Sequence, residues 1–160
     1  MNKKIVLALG GNALYSDRVI EGTYTDQFAN TENALVGVVE LAKSGYKIVL
    51  THGNGPQVGN ILLRSKNNEN SKQDVPLRFC VAETQGDLGY VIEHTLQNKL
   101  RLAGIDRAVV TLLTQVIVDE KDPSIKTPTK PIGPFYSKEE AIEMEKQGIK
   151  MIEDSGRGYR

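Results

Sequence analysis

A chain of 160 residues with 39% apolar and 25% charged side chains can close one hydrophobic core and is too apolar to be a disordered segment. Lysine plus arginine balances aspartate plus glutamate at 20 each. The basic excess with which nucleic-acid binders neutralise phosphates is therefore missing, and a small-molecule partner is favoured.

Cys80 is the only cysteine, which rules out an internal disulfide, and with no CxxC spacing it fits a reducing cytosol. Lys3-Lys4 precedes an apolar stretch that stops at Gly10, too short for a secretory signal. No segment reaches transmembrane length, so a cytoplasmic protein with no membrane partner is expected.

Ile5-Val6-Leu7-Ala8-Leu9 is a continuous apolar run closed by Gly10-Gly11, which predicts a strand buried on both faces, as in parallel sheets. Thr23-Tyr24-Thr25-Asp26 fits a cap, and Phe28, Leu35, Val38, Val39 and Ala42 recur at helical spacing until Gly45. Tyr46 to Leu50 predicts a second buried strand, parallel to the first through a βαβ crossover. Pro56 suits a helix start, with that helix fading near Arg64 and a polar loop following over Lys66 to Lys72. Pro76 to about Leu102 predicts a long helix facing inward with Leu77, Val81, Leu88, Ile92 and Leu96, which Gly86 and Gly89 would bend or break.

Ala108 to Val118, rich in Val, Thr and Leu, predicts a third strand. Between Lys121 and Pro134 lie four of the six prolines, Pro123, Pro128, Pro131 and Pro134, which predict a stiff excursion that is neither helix nor central strand. Ser137-Lys138-Glu139-Glu140 is a capping box opening a short helix that Gly148 ends, and Ile149 to Ile152 suits one more strand.

Three segments carry the chemistry. Leu9-Gly10-Gly11-Asn12-Ala13 follows a buried strand, where glycine permits close backbone approach and successive N–H groups can converge on an anion; a simple tight turn is the alternative. Thr51-His52-Gly53-Asn54-Gly55-Pro56-Gln57-Val58-Gly59 again joins a strand to a helix start, whose partial positive charge suits a phosphate. It is neither a P-loop nor the dinucleotide fingerprint. Both loops are expected at the carboxyl ends of their strands, the usual binding edge of an open α/β sheet. In Thr129-Lys130-Pro131-Ile132-Gly133-Pro134-Phe135-Tyr136, prolines stiffen the backbone around one lysine, although taken alone Lys130 reads as a solvated side chain. His52 lacks metal-ligand companions and reads as structural, His94 as packing or surface, Cys80 as a small buried hydrophobe, and Glu139, Glu140, Glu143 and Glu145 as a solvated helix face. No metal site is assigned.

Together with Gln85-Gly86 and Gly89-Tyr90, these segments resemble the carbamate kinases of the amino acid kinase family, and Thr129 to Tyr136 resembles that branch specifically. The stretch Tyr15-Ser16-Asp17-Arg18 departs from the family pattern. The resemblance implies a three-layer αβα sandwich with a mainly parallel sheet, truncated: residues 1–160 would be the N-terminal carbamate-binding domain, with a protruding subdomain at about 116–159 and no C-terminal nucleotide-binding domain.

It further implies that Gly10, Gly11, Asn12, Gly53, Asn54 and Gly55 bind substrate and phosphate and that Lys130 is the catalytic cation. The co-substrates would be ATP/ADP with Mg, held mainly by the missing half. Carbamate and carbamoyl phosphate would be the substrate and product, in a homodimer that serves arginine breakdown in the reverse direction. Activity of these residues alone is not expected. Another amino acid kinase activity, or a non-catalytic substrate-binding or dimerisation remnant, are the alternatives.

Overall fold

The computed structural model describes residues 3–14, 24–66 and 75–160. Its elements in chain order are β1 (Lys4–Leu9), α1 (Gly11–Leu14), α2 (Tyr24–Ala34), α3 (Val36–Lys43), β2 (Lys47–His52), α4 (Gly55–Lys66), α5 (Leu77–Leu102), α6 (Pro123–Lys126) and α7 (Lys138–Lys146). The Thr23 cap, the unmatched Tyr15–Arg18 stretch and most of the polar loop expected over Lys66 to Lys72 lie outside the described residues. The chain forms two compact units, Met1–Asn54 with Val81–Leu113 and Gly55–Cys80 with Thr114–Arg160.

In the first unit β1 and β2 pair in parallel, from Lys4 opposite Lys47 to Leu9 opposite His52. The core gathers Leu14, Leu35, Val38, Val39 and Ala42 with Leu88, Ile92, Leu96 and Leu100, against which Leu7, Leu9, Ile48 and Leu50 of the strands pack. The expectation that both strands are buried on both faces is corrected. Only one face meets helices, while on the other Val6 stays 68% and Val49 57% exposed. An apolar run specifies strand, but the second covering layer has to come from elements that the described residues of this unit do not provide.

The helix expected between the Thr23–Asp26 capping pattern and Gly45 is broken at Leu35 into α2 and α3, although Leu35 N still donates to Thr31 O and Val39 N to Leu35 O. Thr31 Oγ1 donates to Gln27 O at 2.7 Å, a back-bond that bends helices. Gly45, at φ 84°, ends α3: its N–H donates to Ala42 O and that of Tyr46 to Leu41 O, a closure that needs the left-handed conformation.

α5 runs unbroken through Gly86 and Gly89 for 26 residues, against the expectation of a bend. Gly89 serves a close approach instead, because a side chain there would collide with Thr111, whose Oγ1 donates to Gly89 O at 3.1 Å.

The strand expected over Ala108 to Val118 is absent; β1 and β2 are the paired strands among the described residues. Propensity cannot make a ladder without a neighbour. The backbone is held by α5 side chains instead, with Val109 N donating to Gln97 Oε1 at 2.9 Å and Thr111 N to Glu93 Oε2 at 2.8 Å. Beyond these anchors Leu112, Leu113, Val116 and Ile117 are exposed.

The second unit shows that the proline-rich excursion is helical for one turn. Asp122 caps α6 by accepting from Ser124 N at 2.7 Å, and Pro123 takes the first helical position, where its missing N–H costs nothing. Hydrogen bonds from the Ser124 backbone and side chain hold the Asp122 carboxyl below its ordinary range, against a smaller opposing effect of burial. The expected capping box is present, with Glu140 N donating to Ser137 Oγ and Ser137 N to Glu140 Oε2. Ile149 to Ile152 forms no strand, but Ile152 exchanges two backbone bonds with Arg160, and Tyr136 bridges Tyr159 in antiparallel fashion.

Candidate functional site

β1 ends at Leu9 and Gly10 turns the chain directly into α1, its carbonyl accepting from Ala13 N at 3.0 Å. β2 ends at His52, and Gly53 N donates to Leu9 O at 3.1 Å. The in-register pairing therefore brings the Gly10-Gly11 loop and the Gly53-Asn54 loop to neighbouring positions at the carboxyl edge of the same pair of strands. The Gly53 N–H, expected to face an anion, is occupied as the last rung of this ladder. Gly53 keeps its place beside Gly10 but brings no amide donor. Gly11 and Asn12 open α1; the Asn12 side chain lies outside the described residues.

Asn54 is anchored by its side chain. Its Nδ2 donates to Thr84 Oγ1 at 2.8 Å, and that hydroxyl donates in turn to Val81 O at 2.8 Å. Thr84 is fully buried on α5. Both hydrogen-bonding capacities of one hydroxyl are thus committed to holding the loop after β2. The reading from sequence passed over Thr84, yet a threonine between Cys80 and Leu88 on the inward stripe of a helix is a legible signal of a buried polar tether. His52 is half-buried with Nδ1 3.3 Å from Gly53 O, and no group of three or more His, Cys, Asp or Glu gathers at metal-binding range among the described residues.

In the second unit, Gly55 opens α4 and its carbonyl accepts from Gly133 N at 3.4 Å. Gly59 and Gly133 meet backbone to backbone, since a Cβ on Gly59 would overlap the Gly133 Cα and N and lie 3.2 Å from the Ile132 carbonyl carbon. Gly133 itself sits at φ 100°, a conformation that favours glycine. The last glycine of the Thr51–Gly59 motif and the glycine of the Thr129–Tyr136 motif are therefore two halves of one contact. Each glycine is legible within its own motif, but their pairing is a long-range contact that neither motif states. Lys130 is exposed, between Thr129 and Pro131 on this docked segment, and has no ion-pair partner among the described residues.

Around it the segment is pinned by its neighbours. Burial pushes the Tyr136 hydroxyl above its usual range, and the Glu140 carboxylate adds to this. The Ser137 backbone and side-chain bonds hold Glu140 below its own range. Phe135 is flanked by the Arg157 and Arg160 guanidinium groups at 5.0 and 4.7 Å from its centroid. Asp154 accepts from both arginines, at 3.1 and 2.6 Å. Burial would raise the Asp154 carboxyl, but the hydrogen bond from Arg157 and the two nearby positive charges outweigh it, and the net shift is downward.

Carbamate kinase from Trichomonas vaginalis is 50% identical over 159 residues, covering 98% of this chain and 50% of that protein. The solved carbamate kinase from Giardia lamblia bound to citric acid superposes with a TM-score of 0.94 at 39% identity, over 99% of this chain and 51% of the other. This chain is similar over nearly its whole length to about half of a carbamate kinase. The Giardia lamblia enzyme bound to AMP-PNP also matches, with a TM-score of 0.77 at 39% identity over 99% of this chain and 51% of that one. No family model matches the chain. The chain spans about half the length of the curated relatives it matches, and its helices and parallel strands are those of the amino acid kinase αβα fold.

Proposed function

We propose that this chain is the carbamate-binding half of an ATP-dependent carbamate kinase, which transfers the γ-phosphoryl group of ATP to carbamate and yields ADP and carbamoyl phosphate. The observation that carries the reading is the register of β1 on β2, which sets the Gly10 and Gly53 loops side by side at one strand edge. A Cβ on Gly10 would meet nothing within 4 Å, and its φ is not in the left-handed range. The space beside Gly10 is open among the described residues, which is compatible with close approach of a ligand at this edge.

In the reaction a carbamate oxygen attacks the γ-phosphorus, the bond to the bridging oxygen breaks, and ADP leaves with that electron pair. Such a transfer depends on alignment and on neutralising charge rather than on covalent help. The backbone N–H groups of Gly11, Asn12 and Asn54 are the donors this half offers to the carbamate and the moving phosphoryl oxygens. Gly10, Gly53 and Gly55 keep side chains out of the way. Lys130 supplies positive charge to the transition state. ATP and Mg are assigned mainly to residues outside this half, and a cytoplasmic homodimer that also runs in reverse during arginine breakdown completes the reading. A non-catalytic substrate-binding or dimerisation role is the second reading, favoured by the exposed Val6 and Val49 face.

The test is Lys130→Ala in a protein that supplies both halves. Turnover should fall by about 100- to 1,000-fold, the usual effect of removing one preorganised charge-stabilising group, with the fold intact. Lys121→Ala and Lys126→Ala should change turnover little. Near-normal turnover of Lys130→Ala would refute the role of Lys130.

A further inference from the structure

Within the second unit the lysine-bearing segment is held at two points. At the first, Gly133 lies on Gly59 and its N–H donates to Gly55 O. At the second, Tyr136 exchanges two backbone hydrogen bonds with Tyr159, at 2.8 and 3.0 Å. From Lys130 to Tyr136 the chain contains Pro131 and Pro134, whose fixed φ leaves the backbone few ways to absorb a displacement at either point.

Tyr159 belongs to a hairpin that turns back on itself between Ile152 and Arg160. These two residues exchange two backbone bonds, Asp154 N donates to Gly158 O at 2.9 Å, and Arg157 N donates to Asp154 O at 3.0 Å. The turn carries positive φ at Ser155, 53°, and at Gly156, 74°. Gly158, at φ 123°, lies directly against the segment, since a Cβ there would stand 2.9 Å from Tyr136 O.

Asp154 is the side chain that joins the hairpin to the segment. Arg157 Nη2 donates to both of its oxygens at 3.1 Å, and Arg160 to Oδ2 at 2.6 Å. The same two guanidinium groups lie over the ring of Phe135, the residue before Tyr136. The Arg157 side chain is 51% exposed, and a pair with so exposed an arginine adds little to global stability. What the carboxylate fixes is direction: one anion aims two cations at the end of the segment.

We propose that Asp154 is a positioning residue for Lys130, holding Phe135 and Tyr136 through Arg157 and Arg160 so that the proline-stiffened backbone presents the lysine in one place. The consequence for turnover rests on the catalytic reading of Lys130 above; the ordering of the segment does not.

Asp154→Asn keeps the shape of the side chain and removes its charge. In this chain the order parameter of the Lys130 amide should fall from the rigid value of about 0.85 toward the flexible range below about 0.6, and Arg157→Gln should lower it in the same direction. The Ala141 amide, bonded to Ser137 O at the start of α7, should keep its exchange protection, which separates a loosened segment from an unfolded unit. In a protein that supplies both halves, Asp154→Asn should lower turnover by about 10- to 100-fold with KM little changed, because a displaced charge-stabilising group acts on the transition state. In a Lys130→Ala background the same substitution should lower turnover no further. Equal losses in the two backgrounds would show a merely structural role and overturn the proposal. So would a Lys130 amide equally ordered in the parent and both variants, loss of Ala141 protection in both variants, or unchanged turnover of Asp154→Asn where Lys130→Ala is impaired. Near-normal turnover of Lys130→Ala alone counts against the catalytic reading instead, and the order of the Lys130 amide then decides whether Asp154 positions it.

Discussion

Replacing Gly59 by alanine makes the same chemical change as replacing Gly37, and the structure gives the two opposite signs. Both glycines are helical, Gly59 in α4 and Gly37 in α3. A Cβ on Gly37 meets nothing within 4 Å, whereas one on Gly59 overlaps Gly133 backbone atoms, which cannot rotate aside. Alanine gains about 1 kcal/mol over glycine in a helix interior, so Gly37→Ala should stabilise the protein by about 0.5–1 kcal/mol.

At Gly59 the same gain is opposed by an overpacking cost of about 1–3 kcal/mol, as the Thr129–Tyr136 segment is driven off α4. Loss of the Gly133 N to Gly55 O bond adds about 1 kcal/mol. The net expectation for Gly59→Ala is destabilisation by about 1–3 kcal/mol. Urea titration followed by circular dichroism measures both variants, and hydrogen exchange at the Gly133 amide locates the damage. If Gly59→Ala is as stable as Gly37→Ala and the Gly133 amide keeps its protection, the backbone-to-backbone contact does not hold the segment.

Thr84→Val keeps shape but removes the hydroxyl that anchors Asn54, leaving a half-buried amide unmet; it should cost about 1–3 kcal/mol and speed exchange of the Asn54 backbone amide, while Thr84→Ser should retain protection. Equal exchange in Thr84→Val and the parent would remove Thr84 from the site's support. Asp154 sets a pH dependence: its carboxyl is lowered in the folded state, so its contribution is present above the ordinary carboxylate value and is lost as pH falls through the lowered one. The Phe135 ring environment should therefore hold at pH 5 and loosen below about pH 4, and Asp154→Asn should abolish that transition. An arrangement that tightens on acidification would contradict the assignment.

What the sequence revealed divides along a physical line. β1, β2, the Gly45 stop and the Ser137–Glu140 box were readable because each depends on residues within a few positions of one another, where spacing and propensity act directly. The same local reading predicted a strand at Ala108 to Val118 and two-sided burial of β1, and both expectations failed. A strand needs a neighbour and a face needs a cover, and neither requirement is written in the segment itself. The glycines divide in the same way. Gly45 follows from the helix it ends, but Gly89 was read as a bend because its reason, Thr111, lies outside the helix.

The site shows how far that limit reaches. Gly10 and Gly53 were expected together because the rule placing ligands at the carboxyl ends of strands concerns topology, which a βαβ pattern already implies. The N–H of Gly53 could not be assigned without the register, since one ladder bond decides whether it faces a ligand or Leu9. Lys130 was singled out by its flanking prolines, yet what fixes its segment is Gly133 lying on Gly59, a contact between motifs distant in sequence. The prolines limit the conformations open to the segment, and the paired glycines choose where it docks. If Lys130 is the cation of a phosphoryl transfer, its placement depends on both. Gly59 is then a positioning residue for a group it never touches.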